Sequence, residues 1–307
     1  MSTSDPPAMT APTKDLKLAD ELENFQEIAG VLKPSPGAVP QIPGIDISGL
    51  SRPLQAAAGG DHTIFIDFNR RYDLPRRIET ARLEGRDEVA DRLRKCGERA
   101  GILLADVSGH RVTDALIAAM LHQAFLVGAY YELDRFGEIT TKLFEHINQR
   151  FFRTTQINTF LTMLYGEISS RGRFRFISAG HPRPMVFSSE YGRFVDISED
   201  RLVSYPPVGM FPSDSGLSER VEAGRLGTKQ PYTVNEIDLL ASGDILLLYT
   251  DGLSEHGDGT YFPAAVESTL AGIQDQSAAF ICEQMEKDVL AFAPATDDIS
   301  FVVIKKT

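Results

Sequence analysis

Aspartate is a poor strand former, and a buried, unpaired carboxylate is costly. This chain nevertheless sets aspartates at the edges of strand-like apolar runs in four places: Gly59-Gly60-Asp61, Asp106-Val107-Ser108-Gly109, Thr250-Asp251-Gly252 and Asp297-Asp298. One such residue is an ordinary turn former. Four, most with glycine beside them, constrain the fold more sharply, because glycine permits a turn tight enough for a carbonyl or carboxylate to face an ion. Carboxylates without His or Cys inside the motifs favour hard cations, Mg²⁺ or Mn²⁺ rather than Zn²⁺. If the motifs converge, two ions about 3.5–4 Å apart can share a bridging carboxylate, activate a water and clamp a phosphoryl group. Spacing alone does not establish that convergence.

The rest of the chain is organised around these motifs. Residues 1–14 are rich in Ser, Thr and Pro and are expected to be disordered. Leu18, Leu22, Phe25, Ala29 and Leu32 alternate spacings of four and three, a heptad seam suited to a two-stranded coiled coil or to a helix docked on its own domain. A Pro/Gly linker over 34–44 follows, and the main domain is expected over 45–307. Residues 76–99 are charged and helix-prone, within a charged insertion around 70–99. An apolar helix is expected over 112–132, with Thr113 or Asp114 as its cap, and a second near 137–153. Strand patterns cover AGILLADVSG, TFLTMLYGEI, RFRFISAGHPRPMVF (broken at Gly180–Pro182 in hairpin fashion), DILLLYTDG and the closing TDDISFVVIKK. Helices are expected near 263–272 and 277–292. Strands and helices in separate runs indicate an α+β fold with packed sheets and helices outside them.

Composition excludes several classes. A formal net charge of −12 opposes binding to phosphate backbones or anionic lipid, so neither nucleic acid nor membrane is expected as a partner. Two distant cysteines, Cys96 and Cys282, form no metal or redox spacing and fit a reducing compartment. No apolar run is expected to reach bilayer-spanning length. The N-terminus lacks the apolar core of a signal peptide, and no sensor domain is expected before residue 45. A cytoplasmic location is the expectation.

In order, GGD, DVSGH, LIAAMLHQAF, FLTMLYGEI, FRFISAGHPRPMVF, GDILLLYTDGLSE and TDDISFVVI resemble the bacterial sporulation-and-stress (SpoIIE/RsbU-like) branch of the PP2C-type (PPM) serine/threonine phosphatases. The resemblance runs from about Gly59 to the C-terminus. It implies a four-layer α/β-β/α sandwich of two antiparallel sheets flanked by helices, preceded by a helical linker. It implies a phosphoprotein phosphatase with two Mn²⁺ or Mg²⁺. Asp106 would bridge both ions, the Val107 carbonyl would bind one, and Asp251 and Asp297 the other. Asp61 would hold an ion or its water, with Gly60, Gly109, Gly252 and Asp298 in support. Asp106 and Asp251 would act through a metal-activated water attacking phosphorus, with no covalent phosphoenzyme. The implied substrate is a phosphorylated STAS-type anti-sigma-factor antagonist in a partner-switching pathway. Pairing through residues 15–32 would give a homodimer and bias the helix that follows Asp106.

The chain departs from that pattern. His62-Thr63-Ile64 stands where relatives carry aromatics and a further Asp, the charged insertion lengthens the path from Asp61 to Asp106, and His110 replaces a Lys. His62 and His181 are candidate substrate contacts, set against a bystander role for His62 and a turn role for His181. His122 reads as core, and Ser108 has no base partner in its motif to make it a nucleophile. Two rival functions remain: a catalytically silent scaffold of the same fold, and a phosphatase for small metabolites.

Overall fold

A computed structural model describes residue 24 and residues 38–54, 59–108, 112–154, 160–213, 227–239 and 241–307. The tail over 1–14, the seam over 15–32 apart from Asn24, Gly109 and His110 lie outside the described residues. Ten strands are described: β1 (Ile45–Arg52), β2 (His62–Asp67), β3 (Arg99–Val107), β4 (Leu161–Ser169), β5 (Arg173–Ala179), β6 (Met185–Ser188), β7 (Arg193–Val195), β8 (Asn235–Asp238), β9 (Ile245–Tyr249) and β10 (Ile299–Lys306). They form two five-stranded sheets, ordered β1-β10-β9-β6-β7 and β2-β3-β4-β5-β8, with antiparallel pairing throughout. The helices are α1 (Phe68–Arg71), α2 (Leu74–Leu83), α3 (Asp87–Cys96), α4 (Val112–Phe136), α5 (Thr141–Thr154), α6 (Asp251–Ser254), α7 (Ala264–Ile273) and α8 (Ala278–Phe292).

The period-2 alternation of side chains sorts each strand between two cores. In β3, Leu103, Ala105 and Val107 pack beneath α4 and α5, while Ile102 and Leu104 face the other sheet. In β10, Phe301 and Val303 pack beneath α7 and α8, while Val302 and Ile304 point into the space between the sheets. Three apolar layers therefore separate four structural layers, the α/β-β/α sandwich that the resemblance implies. Each fully buried Leu, Ile, Val or Phe contributes about 1.5–3 kcal/mol, so both sheets are fixed from both faces. The charged stretch between β2 and β3 folds as α1–α3. Asp67 caps α1 by accepting from the amides of Asn69 and Arg70, and Asp73 caps α2 by accepting from Arg76.

The structure corrects two expectations. Residues 173–187 are not a hairpin: β5 pairs with β4 and β8 in one sheet, β6 with β7 and β9 in the other. The turn at Gly180–Pro182 carries the chain across the sandwich. An apolar stretch also does reach spanning length, since α4 is long and apolar enough over Asp114–Phe136 to cross a membrane by length and composition. Its Ala115, Ala118, Leu121, Phe125, Ala129 and Leu133, three or four residues apart, are buried against the sheet and α5.

A buried ion pair and neighbouring hydrogen bonds fasten to α5 the chain on either side of residues 214–226. Lys229 Nζ donates to both carboxylate oxygens of Glu145 at 3.0 and 2.8 Å and lies 3.5 Å from the centre of the Tyr232 ring. Glu145 also accepts from the Tyr232 amide, and Asn148 donates to the Phe211 carbonyl and the Ser213 hydroxyl. Removing one partner strands a buried charge, so Glu145→Ala is expected to lose about 3–5 kcal/mol of stability, read as a lower urea midpoint. An unchanged midpoint would contradict this role.

Candidate metal centre

The between-sheet core runs out of apolar residues at one end, and the acidic motifs begin there. Continuing each strand's inward face past its last apolar residue gives Asp106 after Ile102 and Leu104, Thr250 after Leu246 and Leu248, and Asp61 and Thr63 before Phe65. Thr162, before Leu164, and Ser300, before Val302, lie on the same face. Asp106 and Asp61 belong to the β2–β3 side; Asp251, Asp297 and Asp298 flank β9 and β10 of the other sheet. The site is thus split between the sheets.

Hydrogen bonds close the split. Asp298 is buried and accepts from the amides of Leu54, Gly60 and Asp61 at 2.6, 2.7 and 3.4 Å. This clamps the loop that leads from the first sheet into the second. Gly59 and Gly252 are required by close approach: a methyl group at Gly59 would overlap the Asp298 carboxylate, and one at Gly252 the Asp298 carbonyl. Asp298 N donates to Asp297 Oδ1 at 2.8 Å. Thr250 Oγ1 donates to Asp61 Oδ2 at 2.8 Å, and the Ser300 amide bonds the same hydroxyl at 3.1 Å. Val107 ends β3, and its amide donates to the Gly60 carbonyl at 3.3 Å.

The electrostatics are those of crowded carboxylates. Burial, then Asp251, Asp297, Asp298 and Asp114, push the Asp106 carboxyl up to about 8. Asp61 lies well above the usual carboxylate range because of burial and then Asp106, against hydrogen bonds from Ser300 and Thr250. Asp251 is raised by burial and then by Asp297 and Glu255, opposed by the amides of Gly252 and its own residue. Among the described residues, no three His, Cys, Asp or Glu side chains already converge on one ion-sized point. The donor set is all oxygen and strongly negative, and the four charges that act most strongly on Asp106 are themselves carboxylates. Hard divalent cations fit it.

Both histidines singled out as substrate contacts are sealed inside. His62 Nε2 and His122 Nδ1 lie 2.8 Å apart, and burial, then His122, lowers His62 to about 3. His181 is buried, with Nδ1 2.9 Å from Thr162 Oγ1, and burial lowers it to about 3. Its Nε2 is buried and makes no hydrogen bond. Neither ring offers a face to a substrate. Ser108 Oγ accepts from the Phe160 amide at 3.1 Å, a structural bond. Thr250, Ser300, Thr162 and Gly59 were missed as site-building residues. A polar residue on the inward face of an apolar strand was the available signal for the first three.

A family model described as Stage II sporulation protein E (SpoIIE) matches residues 97–307. The chain belongs to the SpoIIE family. Phosphoserine phosphatase RsbP of Bacillus subtilis (strain 168) is 28% identical over 183 residues, covering 59% of this chain and 42% of that protein. The SpoIIE-family chain therefore spans less than half the length of this curated relative. The SiaA-PP2C domain of Pseudomonas aeruginosa superposes with a TM-score of 0.62 at 14% identity, over 96% of this chain and 99% of that one. The RsbU and RsbW domains of Rv1364c from Mycobacterium tuberculosis give 0.59 at 19% identity, over 87% of this chain and 61% of that one. These structures share the PP2C fold.

The raised Asp106 carboxyl has a signed consequence. Its folded value lies above its unfolded value of about 4, so the folded state holds the proton more tightly. Metal-free stability is then greatest below about pH 4 as far as this group is concerned, and falls as pH rises toward 8. Asp106→Asn is expected to raise the melting temperature of metal-free protein at pH 8 by roughly 2–5 °C, with little gain at pH 5. A variant less stable than wild type at pH 8 would contradict the repulsion.

Proposed function

We propose that this SpoIIE-family chain is a metal-dependent protein phosphatase acting on phosphoserine or phosphothreonine. What supports the reading is that Asp61, Asp106, Asp251 and Asp297, from four separate stretches of chain, lie near enough at the polar end of the between-sheet core for their charges to act on one another. The activity in the name of RsbP supports the reaction type. RsbX, whose fold is shared with a TM-score of 0.51 at 12% identity, was solved in complex with magnesium, which supports the ion class.

In this reading Asp106, Asp251 and Asp297, with Asp61 and the Val107 carbonyl, hold two Mn²⁺ or Mg²⁺. When bound, such a pair stabilises charge on the phosphoryl oxygens and lowers the pKa of an attacking water. The chain's part is positioning. Thr250 fixes one oxygen of Asp61, Asp298 fixes the Gly59-Gly60 loop, and Gly252 lets the two acidic turns pack together. No side chain is needed as a covalent nucleophile, and Ser108 is already engaged. By resemblance, the substrate is a phosphorylated STAS-type anti-sigma-factor antagonist, and the heptad spacing over 15–32 is suited to pairing two copies. The acidic charge and cysteine usage favour a cytoplasmic setting.

Asp106→Asn and Asp251→Asn are each expected to reduce hydrolysis of a phosphorylated STAS protein by more than about 100-fold, the upper end of the loss seen for merely outer-shell partners. Circular dichroism should show the fold retained, and EDTA should abolish wild-type turnover until Mn²⁺ is restored. Full activity in both variants would overturn the assignment. Turnover confined to small phosphate esters would favour the metabolite phosphatase, and metal binding without turnover the silent scaffold.

A further inference from the structure

The chain carries a net charge of −12, yet one cleft on it is lined by more cations than anions. It lies where α1 and α2 pack on α4, and it holds about 340 Å³. Four arginines reach its wall: Arg71 from α1, Arg76 and Arg77 from α2, and Arg86 from the loop before α3. Only two carboxylates face them, Asp73 and Asp134. Two of the arginines are already neutralised. Arg77 pairs with Asp134, and its guanidinium carbon lies 4.2 Å from the centre of the Tyr130 ring. Arg86 pairs with Glu84 and donates to the Asp134 carbonyl at 2.6 Å. Asp73 is committed to capping α2, accepting from the Arg76 amide at 3.2 Å. Arg71 and Arg76 are exposed, and among the described residues neither side chain has a carboxylate within ion-pair distance. Tyr72, on the same wall, is 5% exposed, and its hydroxyl is buried with no hydrogen-bond partner. Burying a hydroxyl that way is costly unless something comes to meet it. Arg71 and Arg77 are the charges that act on that hydroxyl.

We propose that this cleft is a binding site for a phosphate group, with Arg71 and Arg76 supplying the charge and Tyr72 a hydroxyl donor. Arginine presents a planar fork of N–H donors that matches phosphate oxygens in pairs. Two forks without carboxylates of their own suit a dianion. Arg77 and Arg86, held by Asp134 and Glu84, form a fixed wall beside them. Inorganic phosphate, a small phosphate ester and a phosphorylated side chain of a partner protein all offer this chemistry. The cleft is separate from the metal centre, because Tyr130 and Asp134 lie toward the C-terminal end of α4 while Asp106 precedes its N-terminal end. A phosphate held here is not the one hydrolysed, and the site stands whether or not the metal centre turns over substrate.

The test is calorimetric titration of the full chain with sodium phosphate, after divalent ions are stripped on a chelating resin and with ionic strength held constant by chloride. Without metal the acidic centre repels phosphate, so binding there does not contribute. Wild type should bind phosphate saturably. Arg71→Gln and Arg76→Gln should each weaken binding about tenfold, the cost of one charge-assisted hydrogen bond. Both side chains are exposed, so the melting temperature without phosphate should hold. Tyr72→Phe removes only the hydroxyl. It should weaken phosphate binding and leave the phosphate-free melting temperature no lower, because no hydrogen bond is lost. A lower melting temperature with unchanged phosphate affinity would overturn the hydroxyl's assignment. A phosphoserine peptide as titrant separates the sources. Tighter binding than inorganic phosphate marks a protein-borne phosphoryl group as the occupant, and weaker binding marks a free phosphate; the site stands in both cases. Phosphate that does no better than added chloride, or unchanged affinity in both arginine variants, overturns the proposal.

Discussion

Carboxylates brought together without a counter-ion repel one another, and the architecture at the open end of this sandwich is arranged to hold them there. Asp106 is pushed toward neutral pH by burial and by four neighbouring acids. The structure opposes that repulsion with directed hydrogen bonds. Asp298 gathers three backbone amides, and Thr250 orients Asp61. Because these bonds link the two sheets, the energy that holds the site is the packing energy of the sandwich. Phe65, Leu104, Leu164, Leu248 and Val302 between the sheets keep the two halves in register.

This arrangement explains why site and fold were read from the sequence with unequal success. The strand patterns around DVSG, TDG and the final Asp pair were legible because apolar alternation and a terminal Asp-Gly carry their own signal. The β5–β6 turn was misread because Gly-His-Pro marks a reversal of the chain but not the sheet that the next strand joins. That is decided by a partner far away in sequence, Leu247 for Met185. Short strands such as Arg193–Val195 gave no periodicity to detect. The expectation that His181 could meet a substrate failed for the same reason, since the crossover turns its ring inward.

Asp298 illustrates a subtler limit. Paired acids before a strand announce a cluster, but the division of labour between Asp297 and Asp298 depends on the loop at Gly59–Asp61, more than 230 positions away in the chain. Glycine at position 59 is explained only once the Asp298 carboxylate is seen against it. The insertion between β2 and β3 was legible as helical from its charge pattern. Its packing, through Leu74, Ala90 and Leu93, makes it part of the helical layer beside α4.

The central claim is that residues remote in sequence grip a pair of divalent ions between the two sheets. Anomalous diffraction at the manganese edge, from crystals grown with Mn²⁺, tests it directly. The account predicts two peaks about 3.5–4 Å apart, with Asp106 between them and Asp251 and Asp297 bound to one. Peaks elsewhere on the surface, or none at this end of the sandwich at saturating Mn²⁺, would contradict it.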